Sequence, residues 1–335
     1  MKTGESSVKT DREFAAYLQS LKEFVNQRVK DLVSQEVALH LYPQLSYSLL
    51  SEGKRLRPIL GILAAEATSG SREKVADLAI AGELIHTASL VHDDLIDDDK
   101  LRRGKPTLHL KWSRDDAIVT GDALISLGIS LAASYGPEIL RTVANAALEL
   151  CDGELMELKM DLENSSEEEF FIKTKKKTAS AFRVAAQCGA MASGATQSDV
   201  EALAKYGEYF GTGYQLKDDL NNLFKGNPVP TDIMKGRLTL PLLNMFQHGS
   251  GEVRALLLES FGNSKLNEGK ASEIVSELRK SGSIGYCENY VKENIVSAKN
   301  SIEGLPDSRY KAILIRVAEL VLTDGDRLLA QSLQL

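Results

Sequence analysis

Three observations predict an all-α protein, a bundle of roughly a dozen helices, for this chain of 335 residues. Apolar residues recur at three- and four-residue intervals over most of the sequence, which is the spacing of one helix face. Runs of alternating β-branched residues, which are typical of half-buried strands, are missing. Prolines fall between the periodic stretches, where prolines mark helix ends; these are Pro58, Pro106, Pro137, Pro241 and Pro306.

The helical stretches can be followed in order. Periodic segments cover 73–99, 115–134, 137–162, 198–224 and 306–330. The segment 137–162 shows the pattern most clearly, with a stripe formed by Ile139, Leu140, Val143, Ala146, Ala147, Leu150, Leu155 and Leu158. Residues 1–10 are polar and are expected to form a disordered tail. Nothing resembling a linker divides the rest, so residues 11–335 are expected to form a single domain.

Composition limits the partners and the compartment. A net charge of −7 argues against nucleic acid as a partner. An uninterrupted run of about 18 apolar residues is missing, so no membrane span is expected. Cys151, Cys188 and Cys287 are an odd number without metal-binding spacing, which favours buried thiols in a reducing cytoplasm over disulfides. The N-terminus lacks the apolar core of a signal peptide, and a cytoplasmic protein is expected.

The segment DDLIDDDKLRR at 93–103 combines acidic and basic residues in a way that indicates a binding site. On a helix, Asp93 and Asp97 share a face, with Asp94 about 100° round. Carboxylates this close repel one another unless a cation lies between them, and Mg²⁺ is the ion that suits hard oxygen ligands together with substrate phosphates. A solvated acidic helix end is the alternative, but the apolar flank IHTASLV favours a metal site.

A second acidic pair, Asp218 and Asp219, lies far downstream in an apolar setting. The two acidic clusters could face each other across a cavity. Basic residues recur near both: Lys54, Arg55, Arg57, Arg102, Arg103, Lys177, Lys235 and Arg237. Carboxylates alone would repel a phosphate ester, whereas carboxylates with Mg²⁺ and basic side chains would bind a diphosphate.

Five segments, in order, resemble the trans-isoprenyl diphosphate synthases, also called polyprenyl synthetases. They are GKRLRP at 53–58, IHTASLVHDDLIDDDKLRRGKPT at 85–107, KTASAF at 177–182, GYQLKDDL at 213–220 and TDIMKGRLTLP at 231–241. The resemblance implies the isoprenoid synthase fold, a single large all-α bundle whose central helices enclose the active-site cavity. It also implies a homodimer, as is typical of the family.

The resemblance further implies the ligands of the metal and of the allylic substrate. Asp93, Asp94, Asp97 and Asp218 would bind Mg²⁺, and Asp219 belongs to the same catalytic set. Arg102 would hold the allylic diphosphate. Lys177 and Thr178 would contact the departing diphosphate and the cationic carbon, and Gln215 would place its side-chain oxygen near the carbocation. For Gln215, a polar residue bonded inside the bundle is the alternative.

The second substrate would be isopentenyl diphosphate, and the resemblance assigns its binding to Lys54, Arg57, His86 and Arg103, with Arg237 as a further basic residue. Two alternatives stay open: a basic loop before a helix for GKRLRP, and a satisfied core histidine for His86. Other charges in these segments are expected to be solvated or exposed, namely Lys173, Lys175, Lys176, Asp98 and Asp99.

The second acidic region departs from the family pattern. Asn222 stands where a third Asp is usual, and Pro228 occupies the place of a Lys that Lys225 could replace. The expected reaction is ionisation of the allylic diphosphate, condensation with isopentenyl diphosphate and loss of a proton. Two alternatives are a non-catalytic or partner-dependent subunit, which the departures favour, and a terpene cyclase, whose Ser and Glu are missing from DDLNNLFKG.

Product length should depend on the residues before Asp93. Ser89 lies one turn below Asp93 on the same side, with Ala88 beside it, and Gly82 lies three turns below. All three are small, whereas short-chain members of the family often carry a blocking aromatic at this level. A product of C20 or longer is therefore expected. Another helix, such as 119–131, could supply the floor of the pocket.

Overall fold

The structure, a computed structural model, describes residues 11–35, 40–51, 53–224 and 231–323. Within these ranges the chain forms sixteen α-helices and two strands of two residues each, so the predicted all-α fold is confirmed. The expected tail 1–10 lies outside the described residues, as do Lys225 and Pro228.

The helices follow one another with short connections. They are α1 (Asp11–Gln35), α2 (Tyr42–Leu49), α3 (Leu56–Ala67), α4 (Ala76–Ile96), α5 (Leu108–Lys111), α6 (Arg114–Ala133), α7 (Pro137–Glu157), α8 (Glu167–Thr174), α9 (Ser180–Ser193), α10 (Gln197–Phe224), α11 (Thr231–Lys235), α12 (Leu240–His248), α13 (Gly251–Ser260), α14 (Glu268–Lys280), α15 (Ser283–Ser301) and α16 (Arg309–Leu320). A π-helical turn, Lys175–Ala179, joins α8 to α9. The strands β1 (Leu101–Arg102) and β2 (Lys105–Pro106) pair antiparallel.

Capping residues and prolines explain where several helices begin. Pro137 is the first residue of α7, and Pro241 lies in the first turn of α12, where a missing N–H costs nothing. Ser166 and Glu169 form a reciprocal capping box at the start of α8. The prediction of about a dozen helices was low because pieces such as α5 and α11 are too short to show an apolar period.

The innermost helices pack closely because glycine removes side chains where they cross. α3 is buried over almost its whole length. A Cβ added to Gly189 of α9 would lie 2.1 Å from the carbonyl oxygen of Gly61 in α3, so this crossing admits no side chain at Gly189. A smaller apolar cluster, which includes Leu78, Val143 and Cys188, lies between α4, α7 and α9.

Two features bear on the expectations about buried cysteines and membrane spans. Cys188 and Cys287 are buried as expected, but Cys151 is exposed on α7, because it falls on the outward face of that helix. Among the described residues, α6 alone is long and apolar enough to cross a membrane, with a mean hydropathy of 1.5 and a third of that stretch buried. The inward face of α6 packs on α4, and its outward face carries Ile118, Val119 and Ile129.

Candidate active site

The first acidic region lies at the C-terminal end of α4. Asp93 and Asp94 are in its last turn, and Asp97 follows as the C-cap. Burial raises the pKa of Asp93 to about 7, although nearby Lys177 opposes the rise. Asp94 is also buried and accepts a hydrogen bond from Arg102 Nε at 2.7 Å. These carboxylates are therefore enclosed by protein rather than solvated, as the apolar flank predicted.

The β1–β2 hairpin presents Arg102 and Arg103 to this region. Its two-residue turn is Arg103–Gly104, and both residues have positive φ, 53° and 75°, as a tight hairpin turn requires. Arg102 folds back on Asp94, whereas Arg103 Nη1 lies 3.3 Å from Ser51 Oγ. The hairpin thus separates the two guanidinium groups that the sequence places side by side.

Ion pairs to the end of α11 and to the residues just after it close the acidic end of α4. Arg237 pairs with Asp97, and Lys235 pairs with Asp99. The side chain of Asp98 is 75% exposed, in agreement with the expectation, but that of Asp99 is only 24% exposed. The expectation of exposure was wrong for Asp99, because its partner Lys235 comes from more than a hundred residues downstream and partly covers it.

The GKRLRP segment is held by a buried ion pair. Arg55 has a left-handed backbone conformation, φ 53°, and its Nη1 lies 2.6 Å from Glu83 Oε1 of α4. This pair fixes the start of α3, so Arg55 is structural. Lys54 on one side lies 3.3 Å from the hydroxyl of Tyr214, and Arg57 on the other enters the interior.

Arg57 and His86 meet at the head of a cavity. Arg57 Nη1 lies 3.0 Å from His86 Nε2, and the guanidinium stacks on the ring of Phe182 at 4.4 Å. Burial lowers the pKa of His86 well below its usual value, and Arg57 lowers it further. The imidazole is therefore neutral, and its Nε2 accepts the hydrogen bond from Arg57.

The π-helical turn carries the KTASAF residues. Lys177 lies in this turn, and its Nζ is 2.5 Å from Glu154 Oε2 of α7 and also contacts Glu157. Gly153 permits this approach, since a Cβ there would lie 2.4 Å from the backbone nitrogen of Lys177. Single π-turns are frequent at functional sites because they redirect side chains relative to a regular helix.

A hydrogen-bond chain links the π-turn to the second acidic region. Thr178 Oγ1 donates to Gln215 Oε1 at 2.9 Å, and Gln215 Nε2 donates to Asp219 Oδ1 at 2.7 Å. Burial raises the pKa of Asp219 to about 8, against the effect of Lys173. Asn222 Nδ2 lies 3.5 Å from Asp218 Oδ2, one turn away on α10.

Lys173 was expected to be solvated, and that expectation was wrong. Its side chain is only 5% exposed and lies 3.1 Å from Glu157 Oε1. The ammonium also lies 4.5 Å from the centre of the Phe170 ring. Lys175 and Lys176 do lie at the surface. The sequence KTKKK does not show which of these lysines is buried, because tertiary packing decides which side of the helix faces α7.

Three acidic residues of the site were not identified from the sequence. Glu154 and Glu157 stand three residues apart in DGELMEL, and that spacing on one helix face was the available signal. Asp232 lies in the first turn of α11 and is buried, and burial together with Asp218 raises its pKa to about 6. With Lys177 near Asp93, and Glu157 near both Lys177 and Asp232, the two acidic regions meet at one end of the molecule.

The donor set at this end fits a hard divalent cation. The raised pKa values of the buried carboxyls show that the surrounding protein supplies too little positive charge to offset their burial. Carboxylate oxygens are also the ligands that Mg²⁺ prefers. In the described residues no group of three acidic, His or Cys side chains is drawn together around a common point. Instead, Arg102 and Arg237 neutralise Asp94 and Asp97.

A cavity of about 670 Å³, including its open mouth, runs from Arg57 and His86 along α4. Four helices enclose it: α3, α4, α7 and α9. On α4 the lining residues reach down to Leu78, and Val75, the residue just before α4, also lines the cavity. Val143 of α7 and Cys188 of α9 line it too. A Cβ on Gly82 would meet nothing within 4 Å. The wall opposite α4 comes from α7 and α9, and the segment 119–131, suggested for the floor, contributes no residue to the lining.

Ala88 and Ser89, the residues expected to control product length, lie above this cavity and not in its lining. Ala88 is fully buried in the main core, and Ser89 donates a hydrogen bond to the carbonyl of His86 at 2.8 Å. Ser89 is four residues before Asp93 and therefore lies on the path from the acidic region to the cavity. Its role in product length stays a prediction.

Comparisons with known proteins agree with this geometry. Residues 39–278 match the polyprenyl synthetase family. The chain is 33% identical to an octaprenyl diphosphate synthase of Haemophilus influenzae over 88% of this chain and 92% of that one. It is 30% identical to a geranylgeranyl diphosphate synthase of Methanosarcina mazei (89% and 94%) and to heptaprenyl diphosphate synthase component 2 of Bacillus subtilis (89% and 88%).

A solved structure shows the same architecture. The polyprenyl synthase of Caulobacter crescentus, complexed with calcium and isoprenyl diphosphate, superposes with a TM-score of 0.85 at 26% identity, over 96% of this chain and 99% of that one. With the ordered motifs, the buried carboxylates and the cavity between four helices, this match shows that the chain belongs to the polyprenyl synthetase family of prenyltransferases.

Proposed function

We propose that this protein elongates an allylic diphosphate with isopentenyl diphosphate in the trans configuration and releases a product of C20 or longer. One observation carries the proposal. Two buried acidic regions and a set of basic side chains meet at one end of the molecule, above a cavity lined mainly by small and apolar residues. A diphosphate head and a hydrocarbon tail fit these two compartments respectively.

The chain's own residues divide the work at the head. Lys177, Arg102 and Arg237 are paired with carboxylates and are partly exposed, so they can turn towards an incoming diphosphate. They would stabilise negative charge as the diphosphate departs. The hydroxyl oxygen of Thr178 and the side-chain oxygen of Gln215, which are hydrogen-bonded to each other, would lie near the allylic carbon.

The second substrate would bind between Lys54, Arg57, His86 and Arg103. Arg57 and His86 are half-buried and hydrogen-bonded to each other, and Arg103 and Lys54 contact Ser51 and Tyr214 respectively. This arrangement would place the isopentenyl double bond near the head of the cavity. The apolar helix faces exclude water, which would otherwise quench the allylic cation.

Asp93, Asp94, Asp97 and Asp218 are proposed as the ligands of Mg²⁺, with Asp219 supporting them. When bound, Mg²⁺ would neutralise the diphosphate and assist its departure. Arg102 and Arg237, which now hold Asp94 and Asp97, would pass to the diphosphate oxygens at the same time.

The distance from the first acidic region to the far end of the cavity supports a long product. Eighteen residues separate Asp93 from Val75, which corresponds to about 27 Å along α4. That distance is about five helical turns, and one turn is comparable to one extended isoprene unit. A tail that follows α4 to Val75 would therefore exceed the three units of a C15 chain.

We also propose that the active form is a homodimer. Exposed apolar side chains occupy the outward faces of α6 and α7: Ile118, Val119, Ile129, Leu148 and Leu155. Leu148 and Leu155 are 68% and 55% exposed and, being seven residues apart, share one face of α7. Exposed apolar side chains grouped on one face mark an interaction site. A second copy is the simplest occupant, because most soluble oligomers are symmetric assemblies of one chain.

Diphosphate release tests the reaction class. The purified protein with Mg²⁺ is given farnesyl diphosphate alone, isopentenyl diphosphate alone, or both, and released diphosphate is measured. Release that requires both substrates supports a synthase. Release from farnesyl diphosphate alone would instead indicate a cyclase or a phosphatase and would overturn the proposal.

A partner-dependent subunit is the second candidate. It is favoured by Asn222 at the second acidic region and by the similarity to a component of a heptaprenyl diphosphate synthase. A folded protein that is inactive alone and becomes active when another chain is added would establish it.

A further inference from the structure

Arg57 differs from the other cations of the proposed site in what holds it. Arg102 and Arg237 each pair with a carboxylate of the first acidic region. Within the ranges that the structure describes, Arg57 forms no ion pair with a carboxylate. Two uncharged groups contact its guanidinium instead: His86 Nε2 lies 3.0 Å from Nη1, and the centre of the Phe182 ring lies 4.4 Å from Cζ. Arg57 therefore has no carboxylate to leave when an anion approaches.

The contact with Phe182 uses none of the hydrogen-bond donors of Arg57. A guanidinium is attracted to the negative face of an aromatic ring, and its N–H groups point outwards around the edge of its plane. One of these groups donates to His86. Nε is buried and has no hydrogen-bond partner among the described residues. The stacked guanidinium therefore keeps donors for a ligand at the head of the cavity, where a carboxylate partner would have occupied two of them.

The ring of Phe182 is itself held firmly. Its side chain is fully buried, and Phe210 and Tyr214 of α10 contact it with ring centres 5.2 Å and 5.5 Å away. A Cβ added to Gly211 would lie 2.9 Å from Phe182 Cδ2, so the backbone of α10 approaches the ring closely. Tyr214 in turn lies beneath Lys54, whose Nζ is 5.5 Å from the ring centre. Two adjacent aromatic rings therefore support two of the cations proposed for the second substrate.

We propose that Phe182 is a positioning residue for the second substrate, whose ring holds the guanidinium of Arg57 flat and ready to bind the diphosphate of isopentenyl diphosphate. The inference rests on the proposed function, in which Arg57 binds that substrate. A long arginine side chain loses rotamer freedom when it binds a ligand, and a ring that restricts it beforehand lowers that cost. Phe182 closes the KTASAF segment, in which the family resemblance assigns roles only to Lys177 and Thr178.

Fluorination of Phe182 tests the inference, because fluorine withdraws electron density from the ring face and leaves the shape of the side chain almost unchanged. Monofluoro- and trifluorophenylalanine are introduced at this position by suppression of a stop codon. The dissociation constant of isopentenyl diphosphate, measured by isothermal titration calorimetry, should rise with the number of fluorines, by about tenfold for the trifluoro variant. KM for isopentenyl diphosphate should rise in parallel, whereas kcat and KM for farnesyl diphosphate should change little.

A second set of variants shows whether the effect passes through Arg57. Arg57→Met should weaken the binding of isopentenyl diphosphate more than fluorination does, because it removes the charge itself. In the Arg57→Met background, trifluorination of Phe182 should have no further effect, since no guanidinium remains over the ring. Trifluorination of Phe210 is the matched control and should leave the dissociation constant unchanged. Its ring is equally buried and packs against Phe182, and no Lys or Arg of the described residues lies over it.

The outcomes separate this inference from the proposed function. Equal dissociation constants for the wild type and the fluorinated Phe182 variants, in proteins with unchanged circular dichroism and melting temperature, would show that Phe182 only fills space and would overturn the inference. An equal loss of affinity on trifluorination of Phe210 would overturn it as well. The monofluoro variant keeps the comparison available if trifluorination impairs folding. If Arg57→Met binds isopentenyl diphosphate as tightly as the wild type, the proposed site for the second substrate fails, and the inference fails with it.

Discussion

At the scale of single residues, the site is defined by carboxylates that are buried where water cannot stabilise their charge. Asp93 and Asp219 have pKa values of about 7 and 8, mainly because of burial. Nearby acids in the sequence include exposed ones, such as Asp98, which follows the end of α4. The acidic run therefore contains both enclosed and solvated residues, and we expect the enclosed ones to be the functional ones.

Asp93→Asn and Asp98→Asn make a matched pair that tests this distinction. Asp93→Asn should lower turnover roughly a hundredfold or more, because it removes a ligand that acts where charge develops. Asp98→Asn removes the same charge at a position that is 75% exposed and should change turnover little. Initial rates at saturating substrate and varied Mg²⁺ provide the comparison, and equal losses for the two variants would contradict the assignment.

The raised pKa values also predict how pH acts on the metal-free protein. The ordinary pKa of 3.8 is exceeded by both Asp93 and Asp219, so between about pH 4 and pH 8 the folded state binds more protons than the unfolded chain. These groups therefore make stability fall as pH rises through that window.

Mg²⁺ should compensate for that loss. Metal binding requires ionised carboxylates, so the increase in melting temperature on adding Mg²⁺ should be larger at pH 8 than at pH 6. Differential scanning calorimetry measures it, with Asp219→Asn as the variant that should reduce the pH dependence. A stabilisation by Mg²⁺ that is the same at both pH values would argue against these carboxylates as ligands.

At the scale of elements, α4 connects the chemistry to the product. One stripe of this helix carries Asp93, Ser89, His86 and Gly82 in descending order, and the cavity opens along its lower half. Because the helix rises about 5.4 Å per turn, each step down the stripe corresponds to about one isoprene unit. We therefore expect the position of a bulky side chain along α4 to set the length of the product.

Two substitutions at different positions along α4 test this expectation. Ser89→Phe places an aromatic ring one turn below Asp93, and Gly82→Phe places one about three turns below, where the structure has free space. Both should shorten the product, and Ser89→Phe should shorten it more. Products are sized by chromatography after dephosphorylation. Equal chain lengths for both variants and the wild type would exclude α4 as the wall of the product pocket.

Sequence periodicity predicted the long helices, because apolar stripes such as that of 137–162 are visible without tertiary information. It could not predict the π-helical turn, since the backbone hydrogen bonds of Lys175–Ala179 depend on how α7 packs through Gly153. The structure places Lys177 near Asp93, and its role stays a prediction. Lys173 was misjudged because burial of a charge depends on a partner, Glu157, supplied by another helix.

At the scale of the whole molecule, α6 and α7 leave an apolar surface that a single chain does not cover. α6 is apolar enough to resemble a membrane span, but its length and composition also fit an interface helix. Its inward face packs on α4, which carries the acidic residues. Association through this surface would therefore stabilise the position of α4 and of its acidic residues.

Leu148→Glu together with Leu155→Glu tests the homodimer. Two charges at positions that are 68% and 55% exposed should convert a dimer into a monomer, because they would be buried without partners. Leu258→Glu, on α13 and 46% exposed, is the control and should leave the assembly unchanged. Light scattering after size-exclusion chromatography gives the masses, and a wild type that is monomeric at micromolar concentration would contradict the proposal.

The central claim is that this one chain, with Mg²⁺, elongates prenyl diphosphates in the described cavity. The most direct measurement is to incubate the purified protein alone with Mg²⁺, labelled isopentenyl diphosphate and farnesyl diphosphate, and to size the dephosphorylated products. The account predicts elongation to C20 or longer. A folded protein that binds Mg²⁺ and still adds no isoprene unit to farnesyl diphosphate would contradict it and favour a partner-dependent subunit.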